Sequence, residues 1–226
     1  MEALDNMPKD RPRFIKSHLP LSMLPPNLLT KAKVVYVARN PKDCMVSYYH
    51  HHKLISGHGY VGDLPNFARR FMKNEVMYGS IFPHAKEAWA LKDDPNNNML
   101  FVFYEDMKAD LMKVIDDVSR FLDCSSSLTP EKKQLLVDHL DIKNFRNNKA
   151  VNPTQMMKTL GLFVGDGNFV REGRVSGYHL FLENLTLLAK VGGGEEELAQ
   201  FPDVQAEFKE WVDERVAASP VPFPIS

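Results

Sequence analysis

Arg39 is well placed to hold an anion. It follows the apolar run Val34-Val35-Tyr36-Val37-Ala38 and directly precedes Asn40-Pro41-Lys42-Asp43, which reads as a helix start. Asn40 can cap that helix, Pro41 suits its first position and Asp43 favours the positive end of its dipole. Ligands of open α/β sheets bind beyond the carboxyl ends of the strands, where a helix N-terminus offers unpaired N–H groups. Arg39 adds a bidentate fork suited to phosphate. Ser47, two helical turns further on, adds a hydroxyl only to an anion lying alongside the helix. On physics alone an equally good account pairs Arg39 with a surface carboxylate and leaves Asn40-Pro41 as a plain cap.

A second candidate is Lys16-Ser17-His18. If residues 13–18 form a strand, Lys16 and His18 project to one face, and a cation beside an imidazole can act as electrophile and general base. Standing by itself, a histidine next to Leu19-Pro20 is more often a packed or exposed side chain. The third cluster is His50-His51-His52 with His58. Consecutive helical residues point about 100° apart, so the three cannot all reach one ion, and no Cys, Asp or Glu falls at ligand spacing with them. No metal is expected. A glycine-rich loop with a lysine, the usual phosphate cradle of an α/β protein, does not occur in the chain.

These residues need strands and helices to position them. Three short runs read as strands: residues 13–18, 34–38 and 100–104. The last two are apolar throughout, as in a parallel sheet covered on both faces. Helices are predicted from residue 41 to about 54 and over 64–78, 83–91, 109–122, 130–139 after the cap Thr129, 180–191 and 203–217. Phe67, Phe71 and Tyr78, and Trp211 with Phe208 and Val212, recur at near-helical spacing and are most simply core. Strands alternating with helices of this length imply an α/β fold. Residues 147–173 carry Pro153, Gly161, Gly165, Gly167 and Gly173 with little periodicity, the pattern of a lid or binding loop. The proline-rich residues 220–226 read as a frayed tail.

Composition narrows the function classes. With 226 residues, 44% hydrophobic and 25% charged, the chain is globular and one domain is the default. Twenty-eight basic against 29 acidic side chains give a net charge of -1, which excludes the broad electropositive surface of a general nucleic-acid binder. Two cysteines, Cys44 and Cys124, suit a reduced compartment. The longest apolar runs are far too short to span a membrane, and residues 1–10 lack the apolar core of a signal peptide. A cytoplasmic protein with neither nucleic-acid nor membrane partners is expected.

The segments Arg13-Phe14-Ile15-Lys16-Ser17-His18-Leu19-Pro20, Val34 to Ser47 with Tyr48-Tyr49-His50, and Phe103-Tyr104-Glu105-Asp106-Met107 resemble the cytosolic sulfotransferases. Phe169-Val170-Arg171-Glu172-Gly173 is similar to that family's Arg-Lys-Gly signature, and the likeness returns near Phe208-Lys209-Glu210-Trp211. The resemblance implies a P-loop-like parallel sheet flanked by helices. It also implies transfer of a sulfuryl group from 3′-phosphoadenosine 5′-phosphosulfate (PAPS), as co-substrate, to a hydroxyl or amine of a small lipophilic acceptor. Carried over by motif, His18 is the base and Lys16 stabilises charge on the transferring group. Arg39 and Ser47 bind the 3′-phosphate together with Arg171 and the Gly173 backbone, and Tyr104 contacts the adenine end.

The sequence also departs from the family. The 5′-phosphosulfate loop, a Tyr-Pro-Lys-Ser-Gly-Thr-Thr-Trp type segment, has no counterpart here, so the expected α/β sheet is N-terminally incomplete. Residues 1–218 are then a single sulfotransferase-like domain without its first strand and loop, followed by a flexible tail at 219–226. The Thr-Ser-Phe triplet is represented by Leu140-Asp141-Ile142, Glu172 stands at the lysine position of Arg-Lys-Gly, and Ser176-Gly177-Tyr178-His179 replaces Gly-Asp-Trp-Lys. Losing one preorganised donor costs on the order of 100- to 1000-fold in rate, so these departures weigh against catalysis. Two expectations therefore stand: a PAPS-dependent sulfotransferase, or a non-catalytic relative that binds a nucleotide or a partner. The acceptor and the oligomeric state are open.

Overall fold

The computed structural model describes residues 12–165, 167–170 and 194–225. Two parallel strands, β1 (Val34–Ala38) and β2 (Met99–Phe103), pair in register from Val34 opposite Met99 to Ala38 opposite Phe103. Helices α1 (Leu28–Lys31), α2 (Pro41–Leu54), α3 (Leu64–Met72) and α4 (Ile81–Leu91) precede or connect the strands. After β2 come α5 (Tyr104–Ala109), α6 (Leu111–Phe121), α7 (Pro130–Leu140), α8 (Ile142–Asn147) and α9 (Thr154–Thr159). Beyond the undescribed stretch lie α10 (Gly194–Ala199) and α11 (Pro202–Ala217). This is the α/β arrangement that the alternation of strands and helices predicts. Among the described residues, no helix is long and apolar enough to cross a membrane.

Two apolar clusters hold the elements. In the first, Met45, Val46 and Tyr49 of α2 meet Phe67, Ala68 and Phe71 of α3, Leu198 of α10, and Phe208 and Val212 of α11. In the second, Ala38, Phe82, Ala85, Val221 and Phe223 gather on the face of the sheet where Tyr36 stacks on Phe101 and Trp89 meets the Phe101 ring edge-on. Trp211 packs against both clusters and joins them.

Several expectations are corrected. Residues 13–18 form no strand, and Phe14 is 82% exposed. A strand exists through its neighbour, and among the described residues nothing pairs with this segment. Nor is β1 covered on both faces, since Val35 and Val37 on the face opposite Tyr36 are exposed. The frayed tail is instead core: Val221 is fully buried, and Phe223 lies against Phe82, with ring centroids 5.3 Å apart. Its prolines prevent a helix but do not stop the apolar residues between them from packing. The α3 helix ends at Met72 rather than 78, with Asn74 and Tyr78 in the left-handed region at φ 60° and 62°. The predicted 109–122 helix is present as α6, capped by Asp110, which accepts the Lys113 N–H at 2.9 Å, and the short helix α5 before it was not expected. The 147–173 loop contains α9 and a bridge from Phe163 to Ile55. The predicted helix at 180–191 lies outside the described residues.

One residue ties the ends of these elements together. Asn40, only 3% exposed, donates its backbone N–H to Glu105 Oε1 at 2.9 Å and accepts the Lys42 N–H on its side-chain oxygen at 2.8 Å. Its side-chain amide donates to the Pro224 carbonyl. Glu105 is 1% exposed, and burial raises its carboxyl pKa above the ordinary 4.5, opposed by the Asn40 N–H and the Arg39 charge.

Two predictions follow from this packing. Phe223→Ala costs about 3–5 kcal/mol in urea unfolding, as for a buried ring; a change within about 0.5 kcal/mol, the range of an unconstrained surface position, contradicts the packing. Glu105→Ala leaves the buried Asn40 N–H unpaired at a cost of about 1–3 kcal/mol, whereas Glu105→Gln keeps an acceptor. Because the raised carboxyl holds its proton more tightly in the folded state, its stabilising contribution is present at low pH and is lost as pH rises through the folded pKa. Glu105→Gln, which does not ionise, therefore gains on the natural chain over that rise, as read from unfolding free energies on either side of it.

Candidate functional site

The parallel register places the sites. Because Ala38 sits opposite Phe103, the residues that leave the two strands together are Arg39 with Tyr104 and Asn40 with Glu105. The Arg39 guanidinium carbon accordingly lies 4.5 Å from the Tyr104 ring centroid, a cation–π contact. Burial raises the Tyr104 hydroxyl pKa, opposed by Arg39, so Tyr104 is a neutral phenol. Arg39 thus stands at the positive end of a 14-residue helix, over an aromatic ring. The carboxylates adjacent to Arg39 in sequence and register, Asp43 and Glu105, are both buried. Ser47 is half-buried on α2, two turns beyond the cap. Arg171 and Gly173 lie outside the described residues.

Lys16 and His18 sit on the exposed segment before α1, not at the end of a strand. The His18 ring lies 5.2 Å from that of Tyr78, and its carbonyl meets His84 Nε2 at 3.3 Å. His84 Nδ1 in turn meets the Tyr36 hydroxyl on β1 at 2.7 Å. Partial burial, then the charges of Lys16 and His84, lower the His18 pKa from 6.5. At neutral pH the ring is a free base beside a cation.

The three consecutive histidines do not converge on one point, as helix geometry predicts, but two of them meet His58. His50 turns away and meets Glu197 with its Nε2 2.6 Å from a carboxylate oxygen. His51 and His52 are joined by His58 from the turn at Ser56–His58, with ring centroids 5.0 Å from His51 and 4.4 Å from His52. Each ring offers a nitrogen, and these three lie within 4.8 Å of one another. Burial first, then the charges of His58, His52, His18 and Lys16, pull the His51 pKa down to about 4. Sequence reasoning missed this convergence because the third ring comes from beyond the helix. It also left Glu105 without a role, although the residue lies inside the quoted Phe103-Tyr104-Glu105 motif.

The profile of the sulfotransferase domain family matches residues 1–190. A luciferin sulfotransferase of Photinus pyralis is 38% identical over 172 residues, covering 74% of this chain and 45% of that protein. Sulfotransferase 1A1 of Canis lupus familiaris is 41% identical over 157 residues, covering 69% of this chain and 51% of that protein. The chain thus spans about half the length of the curated relatives it matches. A retinol dehydratase solved in complex with androsterone and the inactive cofactor PAP superposes with a TM-score of 0.82 at 31% identity, over all of this chain and 59% of its own. A mouse sulfotransferase complexed with PAP gives 0.70 at 27% identity, over 95% of this chain and 68% of its own. With its strand-to-helix arginine, its strand register and these matches in agreement, the chain belongs to the sulfotransferase family.

Proposed function

We propose that the chain takes part in cytoplasmic sulfuryl transfer from PAPS to a hydroxyl or amine of a small lipophilic acceptor. The observation that carries this reading is Arg39, held over the Tyr104 ring at the N-terminus of α2 in a member of this family. A guanidinium at the positive end of a helix suits a phosphate, and the neutral Tyr104 ring beside it suits the nucleotide end. Ser47, Arg171 and Gly173 complete the proposed 3′-phosphate site. PAPS supplies the sulfuryl group and a stable leaving group, 3′-phosphoadenosine 5′-phosphate (PAP). In the transfer, a bond forms from the acceptor oxygen to sulfur, the bond from sulfur to the bridging phosphate oxygen breaks, and the acceptor's proton passes to His18. Lys16 offsets negative charge on the transferring group.

A non-catalytic, nucleotide-binding role is the second reading. It is favoured by the exposed position of Lys16 and His18, outside any strand. Positioning of the reacting groups supplies much of the rate in a transfer of this kind.

Two measurements test these readings. In a calorimetric titration the folded chain binds PAP saturably, and Arg39→Ala weakens binding by about 10- to 100-fold, the loss of one hydrogen bond to a charged group. No saturable binding by a chain with an ordered circular dichroism spectrum sinks both readings; binding without transfer to any phenol or alcohol supports the second. Where transfer is seen, His18→Gln lowers turnover by roughly 100- to 10,000-fold with PAP binding retained. Because the ordinary histidine value of 6.5 is lowered here, the proton leaves at lower pH and the acid limb of the rate profile falls below pH 6.5. An acid limb above that value contradicts His18 as the base.

A further inference from the structure

We propose that His51, His52 and His58 form a binding site for a divalent transition-metal ion of the zinc class. This site goes beyond the sulfuryl-transfer reading and does not depend on it.

Three observations of the side chains carry it. The first is convergence, with one nitrogen from each ring inside a 4.8 Å spread. A tetrahedral zinc with bonds of 2.0–2.1 Å sets its ligand nitrogens about 3.3 Å apart. Closing from the present spread needs movements of roughly 1.5 Å at most, within reach of side-chain rotation.

The second is tautomer. His52 Nδ1 lies 3.0 Å from the Tyr48 carbonyl, and a carbonyl can only accept, so Nδ1 carries the proton. Nε2 is then left with its lone pair. A backbone carbonyl that fixes the far nitrogen of a ligating imidazole is the usual outer partner of a zinc histidine. The third is the unmet polar atoms. Nδ1 of His51 and Nδ1 of His58 are buried and have no hydrogen-bond partner among the described residues. Unpaired buried nitrogens are costly, and a metal ion satisfies them.

The surroundings suit a held ion. Tyr48 meets His52 edge-on at 4.2 Å between ring centroids, Phe67 lies 5.1 Å from His52, and Phe169 lies 5.8 Å from His51. These rings limit the histidine rotamers. Three neutral imidazoles select borderline ions such as Zn2+ over Mg2+ or Ca2+ and leave one coordination position open. Bound there, the ion pins the Ser56–His58 turn to the last turn of α2.

The test is a Zn2+ titration of the purified full chain in competition with a chromophoric chelator. One equivalent is expected, and Zn2+ raises the midpoint of thermal unfolding. His51→Ala and His58→Ala each weaken binding by at least about 10- to 100-fold, the loss caused by removing even an outer partner of a metal ligand. His50→Ala, which removes the ring that faces Glu197, leaves Zn2+ binding unchanged. Co2+ gives the intense visible band of a tetrahedral site in the natural chain, a readout that holds even if a variant fails to fold. The proposal is overturned by no saturable Zn2+ uptake, by uptake that survives both His51→Ala and His58→Ala, by an equal loss in His50→Ala, or by a Co2+ spectrum of octahedral intensity.

Discussion

The structure turns on three hydrogen bonds made by Asn40. Its backbone N–H reaches Glu105 just beyond β2, its side-chain oxygen caps α2, and its side-chain amide holds the carbonyl of Pro224. A single residue therefore fixes the exit of one strand against that of the other, the start of the helix between them and the C-terminal segment. All of this occurs in a buried site, where an unmade hydrogen bond costs far more than a made one contributes. The geometry of Arg39 follows. With Asn40 bonded to Glu105, the neighbouring pair of the register is Arg39 and Tyr104, and the guanidinium has a ring to lie on.

Burial of Glu105 is the other half of this arrangement. A carboxylate fully charged at this point would offset much of the positive field that the α2 N-terminus and Arg39 create. Desolvation works against that charge, while the Asn40 N–H and Arg39 work for it. The carboxyl accepts a hydrogen bond from the strand exit while its burial and its partners pull its pKa in opposite directions.

What the sequence made legible is what is local. The apolar run at β1, the Asn-Pro start of α2 and the Thr129 cap of α7 are decided by neighbours a few residues apart, and each lies where the pattern puts it. The resemblance in Phe103-Tyr104-Glu105 and in the Arg39 segment likewise pointed to two positions that the fold brings together. Non-local features were not legible. Residues 13–18 have strand composition but no pairing partner among the described residues. Val221 and Phe223 sit among prolines that mark the absence of a helix, and their burial depends on a groove built by Phe82, Ala85 and Ala38.

The histidines show what a local helix rule settles and what it leaves open. Successive helical residues do diverge by about 100°, and His50 does point elsewhere, toward Glu197. The rule forbids three consecutive ligands; it does not forbid two adjacent rings that flank a third from outside the helix. Here the helix stops at Leu54, the Ser56–His58 turn closes with Gly59 at φ 61°, and the chain folds back far enough to set His58 between His51 and His52. A left-handed residue at that position is what a glycine supplies without strain, so the convergence of the rings depends on Gly59 as well as on the histidines themselves.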